Sequence, residues 1–121
     1  MLNRTNMIED LLEQISNNSG ILSCGVFDSN GLLVSAKGNK VILEKIASSM
    51  HRVIDENSTQ FNSLNIAPLD CITLIGEEGI SLFWPLGNSA SLALMAKIDA
   101  NLGDIRRVVK PLLTRINDLI K

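Results

Sequence analysis

The run ILSCGVFDSNGLLVSAK, residues 21–37, constrains the fold more than any other stretch of this 121-residue chain. Two apolar segments flank Asp28-Ser29-Asn30-Gly31. Asp, Ser and Asn side chains bond their own backbone at such a site, and Gly takes a positive φ without steric cost, so the chain reverses there into a β-hairpin. An isolated hairpin is marginal in water. The remaining segments must therefore extend its sheet or cover its faces.

Upstream, Asn6 with Glu9 three residues on predicts a capping box, and Met7, Ile8, Leu11, Leu12 and Ile15 recur at helical spacing. This first helix ends in Asn17-Asn18-Ser19-Gly20, with Gly20 expected as its left-handed terminator. Downstream, Gly38-Asn39 breaks the strand pattern and a second helix is predicted from Lys40 to about Asn57. Its wheel gathers Leu43, Ile46, Met50, Val53, Ile54 and Asn57 on one side and turns Glu44, Lys45, Ser48, Arg52 and Asp55 outward. Ile42, Ser49 and Val53 form a stripe beside the core face. That is more apolar width than docking on a sheet requires, and the small Ser49 admits the close approach of another helix.

Residues 58–68 are polar and include a Pro, which predicts a loop. Three short apolar runs follow at 69–75, 80–86 and 92–98, separated by Glu77-Glu78-Gly79 and Gly87-Asn88-Ser89. Links this short predict an antiparallel meander. None of the runs alternates cleanly between apolar and polar residues, so both faces should be covered. Pro85 lacks the N–H of a central ladder and is expected at a strand end. Phe83 and Trp84 should face opposite layers; Trp84, beside Pro85, has a partly exposed contact as its alternative role. A last helix opens on Asn101 as cap, with Asp104 in its first turn and Ile105, Val108, Val109, Leu112, Ile116 and Leu119 on one face. Pro111 falls on its outward side and predicts a bend.

The order helix, hairpin, helix, meander, helix gives an α/β (α+β) chain, residues 1–121 as a single three-layer α/β/α domain with a five-stranded, mostly antiparallel sheet. The middle helix covers one face and the terminal helices the other. If the last meander strand pairs with the first hairpin strand, the segments 32–37 and 69–75 become the edges. The second is the more apolar, has no Lys or Pro inside it, and invites pairing with another chain. Composition points the same way: 45% of residues are hydrophobic against 20% charged, more apolar surface than a lone domain leaves wet.

With 11 Lys and Arg against 13 Asp and Glu, the net charge of −2 offers polyanions no general attraction, so no nucleic-acid partner is expected. MLNRTNMIEDLLEQ has no signal-peptide core, and no apolar run approaches the roughly 18 residues of a membrane span. A cytoplasmic protein is expected, with any membrane role indirect. Cys24 and Cys71 fall in predicted strands and read as small buried thiols rather than a disulfide. GxxxxGK[ST], HExxH, GxSxG and CxxC are absent, and His51 is the single His. A Cys–His pair drawn from Cys24 or Cys71 with His51 would have an inert, buried thiol and too few ligands for zinc. The expectation is no enzyme, no metal and no cofactor. Arg106, Arg107, Lys110, Arg115 and Lys121 give the last helix a basic outer face, ordinarily just solvated, alternatively a dock for an acidic partner or an anionic membrane.

The arrangement, with GVFDSNGLLVSA at the hairpin, LIGEEGISLFWPL across the second hairpin and the closing SLALMA, resembles the Roadblock family from about Met7 to Lys121. That family, of profilin-like fold, includes the roadblock-type dynein light chains, subunits of the lysosomal Ragulator scaffold, and bacterial gliding-motility regulators of a Ras-like GTPase. The resemblance implies a homodimer, or a heterodimer with another Roadblock protein, in which third strands pair edge to edge and middle helices lie side by side. The interface would then take Ile42, Ser49, Val53, Cys71, Ile72, Thr73 and Leu74. It also implies a Ras-like small GTPase seated on the paired middle helices, at Glu44, Lys45, Ser48, Arg52 and Asp55, its hydrolysis modulated by the contact. An assembly adaptor indifferent to nucleotide is the alternative, and a small-molecule sensing domain a third reading.

Overall fold

A computed structural model of the chain describes residues 3–66 and 68–120. Ala67, within the expected loop, and Lys121, of the expected basic face, lie outside the described residues. In chain order the elements are α1 (Arg4–Ser16), β1 (Ile21–Phe27), β2 (Leu33–Lys37), α2 (Lys40–Glu56), α3 (Ser58–Ser63), β3 (Ile72–Ile75), β4 (Ile80–Pro85), β5 (Ser91–Ala96) and α4 (Leu102–Ile120). A short 3-10 turn, Gly87–Ser89, links β4 to β5.

The hairpin turn forms as its residues dictate. The Asp28 carboxylate accepts from the N–H groups of Asn30 (2.9 Å) and Leu32 (3.0 Å), and Gly31 sits at φ 79°, where a side chain would be strained. The sheet order is β2-β1-β5-β4-β3, every pair antiparallel, so β2 and β3 are the edges as expected. On one face α1 and α4 pack against Cys24, Val26, Leu82, Trp84, Leu92 and Leu94. On the other, Leu43, Ala47 and Met50 of α2 close over Phe27, Phe83 and Ala93. Phe83 and Trp84 thus divide between the layers, and Trp84 is buried rather than a partly exposed contact. Pro85 ends β4, and α4 runs through Pro111, which faces solvent.

Several boundaries differ from the sequence-based expectation. Asn3, not Asn6, caps α1: its side chain accepts from the Asn6 N–H at 2.8 Å, and the helix starts two residues before the expected cap. Gly20 does not take a left-handed conformation; a Cβ there would come within 2.7 Å of that of Ala100, so close approach of the loop before α4 explains the glycine. The expected loop at 58–68 begins with α3, since residues 58–63 form a short helix directly after α2. The third strand starts at Ile72 rather than residue 69, leaving Cys71 in the segment before it. The fifth ends at Ala96, with Ile98 outside it and exposed. Among the described residues no helix is long and apolar enough to cross a membrane.

Candidate interaction surface

α2 is held over the sheet by its cap and its buried face. Asn39 accepts from the Ile42 N–H (3.1 Å) and donates its own N–H to the buried Ser23 hydroxyl (2.9 Å), tying the helix start to β1. The helix lies mainly over β5 and β1, with Leu33 and Ala36 of β2 and Ile72 of β3 at the margins of its cluster. Its two flanks therefore remain partly uncovered.

On the β3 side, Ile42 and Ile46 of α2 share a groove with Leu74, Ser81 and Met95, and the Gly76–Gly79 turn also lines it. Farther along the helix Ser49 and Val53 line a smaller depression with Ser48 and Arg52. Of the stripe expected from Ile42, Ser49 and Val53, the two aliphatics are half-buried and Ser49 is exposed, and the half-buried Ile46 lies with Ile42. The wheel assigns Ile46 wholly to the core and passes over Ala47, which is buried beneath the helix; a small residue carries little weight in an amphipathic pattern.

Along β3, Ile72 packs toward α2 while Cys71 packs toward α4. Thr73 accepts from the Arg106 guanidinium at 3.0 Å, a bond from α4 to the edge strand that no sequence motif marks. Leu74 and Ile75 are 50% and 65% exposed. Of the expected interface residues, Ile72 and Leu74 face α2, which carries Ile42, Ser49 and Val53, whereas Cys71 and Thr73 face α4 on the other side of the sheet edge; Ser49 and Leu74 are exposed and the other five half-buried.

The expected outward residues Glu44, Lys45, Ser48, Arg52 and Asp55 are all exposed on α2. None of the four charged ones is ion-paired to another described residue. Beside this crest, on the β2 side, lies a second groove of about 550 Å³ with Phe27, Leu33 and Ala47 in it and Leu32, Val41, Glu44, Lys45, Ser48 and His51 around it. The sequence reading missed it, because Leu32 belongs to the hairpin and Val41 to a helix start, and no periodicity links the two.

The thiols and the histidine lie apart. Cys24 faces α1, where burial pushes its pKa up to about 12, and its S–H points to the Leu12 carbonyl at 3.7 Å. Burial also raises the Cys71 thiol, against a hydrogen bond with Thr73 that lowers it. His51 is on the opposite sheet face, its ring edge-on to Phe83 with centroids 5.2 Å apart and its Nε2 3.5 Å from the Ser91 hydroxyl. The sheet therefore separates Cys24 from His51. Among the described residues no three His, Cys, Asp or Glu side chains converge as metal ligands.

No protein-family model matches the sequence, and no curated protein does. Solved structures do match. The gliding protein MglB of Thermus thermophilus superposes at a TM-score of 0.83 with 16% identity, over 99% of this chain and 93% of that one. Myxococcus xanthus MglB gives 0.78 at 14%, over 93% and 94%. A Roadblock/LC7 domain from Streptomyces avermitilis gives 0.74 at 13%, over 89% and 92%. The chain has the Roadblock fold. Because identity is this low, what is shared with these proteins is the Roadblock sheet and its helix layers rather than particular surface residues.

Proposed function

We propose that this chain is a non-catalytic dimeric regulator or scaffold that binds a Ras-like small GTPase. The observation that carries the reading is the β3 edge: a regular strand ending in the exposed Leu74 and Ile75, of which Leu74 lies beside the half-buried Ile42 and Ile46 of α2. Two such surfaces are self-complementary. A two-fold axis beside β3 would pair the strands antiparallel and set the two α2 flanks against each other, burying both at once. The outward face of the paired helices, with Glu44, Lys45, Ser48, Arg52 and Asp55, is then the partner surface. The Roadblock fold, shared with the gliding protein MglB, supports a GTPase as that partner. Any effect on hydrolysis would come through ordering the GTPase's own switch segments rather than from a donated side chain.

The test is capture from the source organism's extract on the immobilised protein, with the extract loaded with a GTP analogue or GDP. A Ras-like GTPase whose recovery depends on the nucleotide, and which is lost with Lys45→Glu and Arg52→Glu while the dimer persists, is the expected result. The same partners in both states, with no GTPase among them, would make the chain a cytoplasmic assembly adaptor instead.

A further inference from the structure

The groove on the β2 flank of α2 has a composition that the central face lacks. Phe27, Leu33 and Ala47 give it an apolar interior. Leu32 on the hairpin and Val41 on the first turn of α2 line it while remaining 64% and 63% exposed. Singly exposed aliphatic residues need no explanation. Two from different elements lining one concavity are a different matter, because a single inserted group would desolvate both.

We propose that this groove seats an apolar side chain projecting from the GTPase that covers α2, so that the partner's footprint runs from the α2 crest to the hairpin tip. This inference rests on the partner reading above. Three observations select the occupant. A second copy seated on β3 would lie against the opposite flank of α2, where Ile42, Ile46 and Leu74 form the other groove, and so would leave this one open. An added β-strand is disfavoured, because the pairing of β2 slips at Val34 and its last residue, Lys37, is ion-paired to Glu13. A protein resting on the outward face of α2, in contrast, meets the groove directly, since Glu44, Lys45 and Ser48 belong to both surfaces. Its rim then places one acidic and one basic side chain, neither ion-paired to a described residue, beside an apolar interior. Central apolar anchors inside a polar rim are the usual arrangement of residues that dominate binding.

Leu32→Asp with Val41→Asp tests this without touching the core, since both side chains are exposed and an acid is well placed in the first turn of a helix. The readout is calorimetric affinity for the purified, GTP-analogue-loaded GTPase that wild-type protein captures, with Ile98→Asp as an exposed control elsewhere. Affinity should fall about tenfold or more, with the light-scattering mass unchanged and the control unaffected. Affinity within about twofold of wild type, while Lys45→Glu with Arg52→Glu abolishes binding, overturns the groove alone. Failure of wild-type protein to bind any Ras-like GTPase overturns this inference and the reading beneath it together.

Discussion

At one edge of the sheet, β2 slips its register beside Val34 and ends in Lys37, whose ammonium lies 3.1 Å from Glu13 on α1. At the other edge, β3 keeps an unbroken register with β4 from Ile72–Phe83 to Ile75–Ile80 and carries neither a Lys nor a Pro. The two strands face the same physical hazard, a row of backbone groups open to another chain. A bulge, a terminal Lys and a helix packed close by are devices that blunt such an edge. The bulge and the Lys are present at β2 and absent at β3, which on the proposed dimer would leave β3 as the edge open to a second copy. The exposed side chains agree: all five β2 residues are half-buried, whereas β3 ends in its two exposed aliphatics.

The strongest way to break this contrast is to move the protection across. Leu74→Lys with Ile75→Lys should turn the proposed dimer into a monomer, while Ala36→Lys on β2 should leave its mass unchanged; light scattering distinguishes them. Fully burying a Leu or Ile is worth roughly 1.5–3 kcal/mol, and a two-fold axis counts each side chain twice. Even half of that burial therefore amounts to about 3 kcal/mol per dimer, roughly a hundredfold in Kd. Dissociation caused by the β2 variant, with the β3 variant still dimeric, would reverse the assignment of the edges.

Much of this arrangement can be read in the sequence, because it depends on short-range chemistry. Asp28 and Gly31 specify the hairpin turn, Asn101 the start of α4, and the runs around Leu82 and Leu94 the central strands. The hairpin and the meander follow from their short links, but the join of β5 to β1, which makes β2 and β3 the edges, is a long-range pairing that the links do not dictate. What escaped the reading is decided by neighbours distant in sequence. The slip at Val34 depends on how Phe27 meets Leu33. Glu13 reaches Lys37 only when α1 lies under β2, and Arg106 reaches Thr73 only when α4 lies under β3. The start of β3 is set by where β4 ceases to pair, so the apolar character of Leu69 and Cys71 was misleading. The groove between Leu32 and Val41 has the same origin: two residues joined by no repeat are brought together by the docking of α2.

The cysteines offer a smaller and cleaner readout of the same contrast, since Cys71 directly precedes β3 and Cys24 lies in β1. At pH 8.5 about half of an ordinary thiol is thiolate. Cys24, with its pKa at about 12, should remain protonated and resist a disulfide reagent until the chain unfolds. Cys71 should react faster than Cys24, and faster still in the Leu74→Lys, Ile75→Lys monomer, if the second copy covers that end of the edge. Equal rates for Cys71 in the two forms would place the interface away from the start of β3. The raised Cys24 value also acts on stability. Between the ordinary thiol pKa and about 12 the unfolded chain loses a proton that the folded chain keeps, so stability declines as pH rises through that window.

The smallest expected effect concerns the guard on β2. The pKa of Lys37 is raised by the hydrogen bond to Glu13 and then by that carboxylate's charge. A raised lysine contributes its full stabilisation below the unfolded value of about 10.4 and loses it as pH climbs through the folded value, so the clasp is intact at neutral pH. The geometry is a surface bridge, screened by salt. Lys37→Met should therefore leave the fold and the proposed dimer in place and speed amide exchange in β2 only about two- to threefold at low salt, a difference that shrinks in 1 M salt. An acceleration that persists in high salt would mean that the Lys37 stem, rather than its charge, secures the strand. If exchange is unchanged at low salt, the ion pair has no part in protecting this edge, and the register slip beside Val34 alone distinguishes β2 from β3.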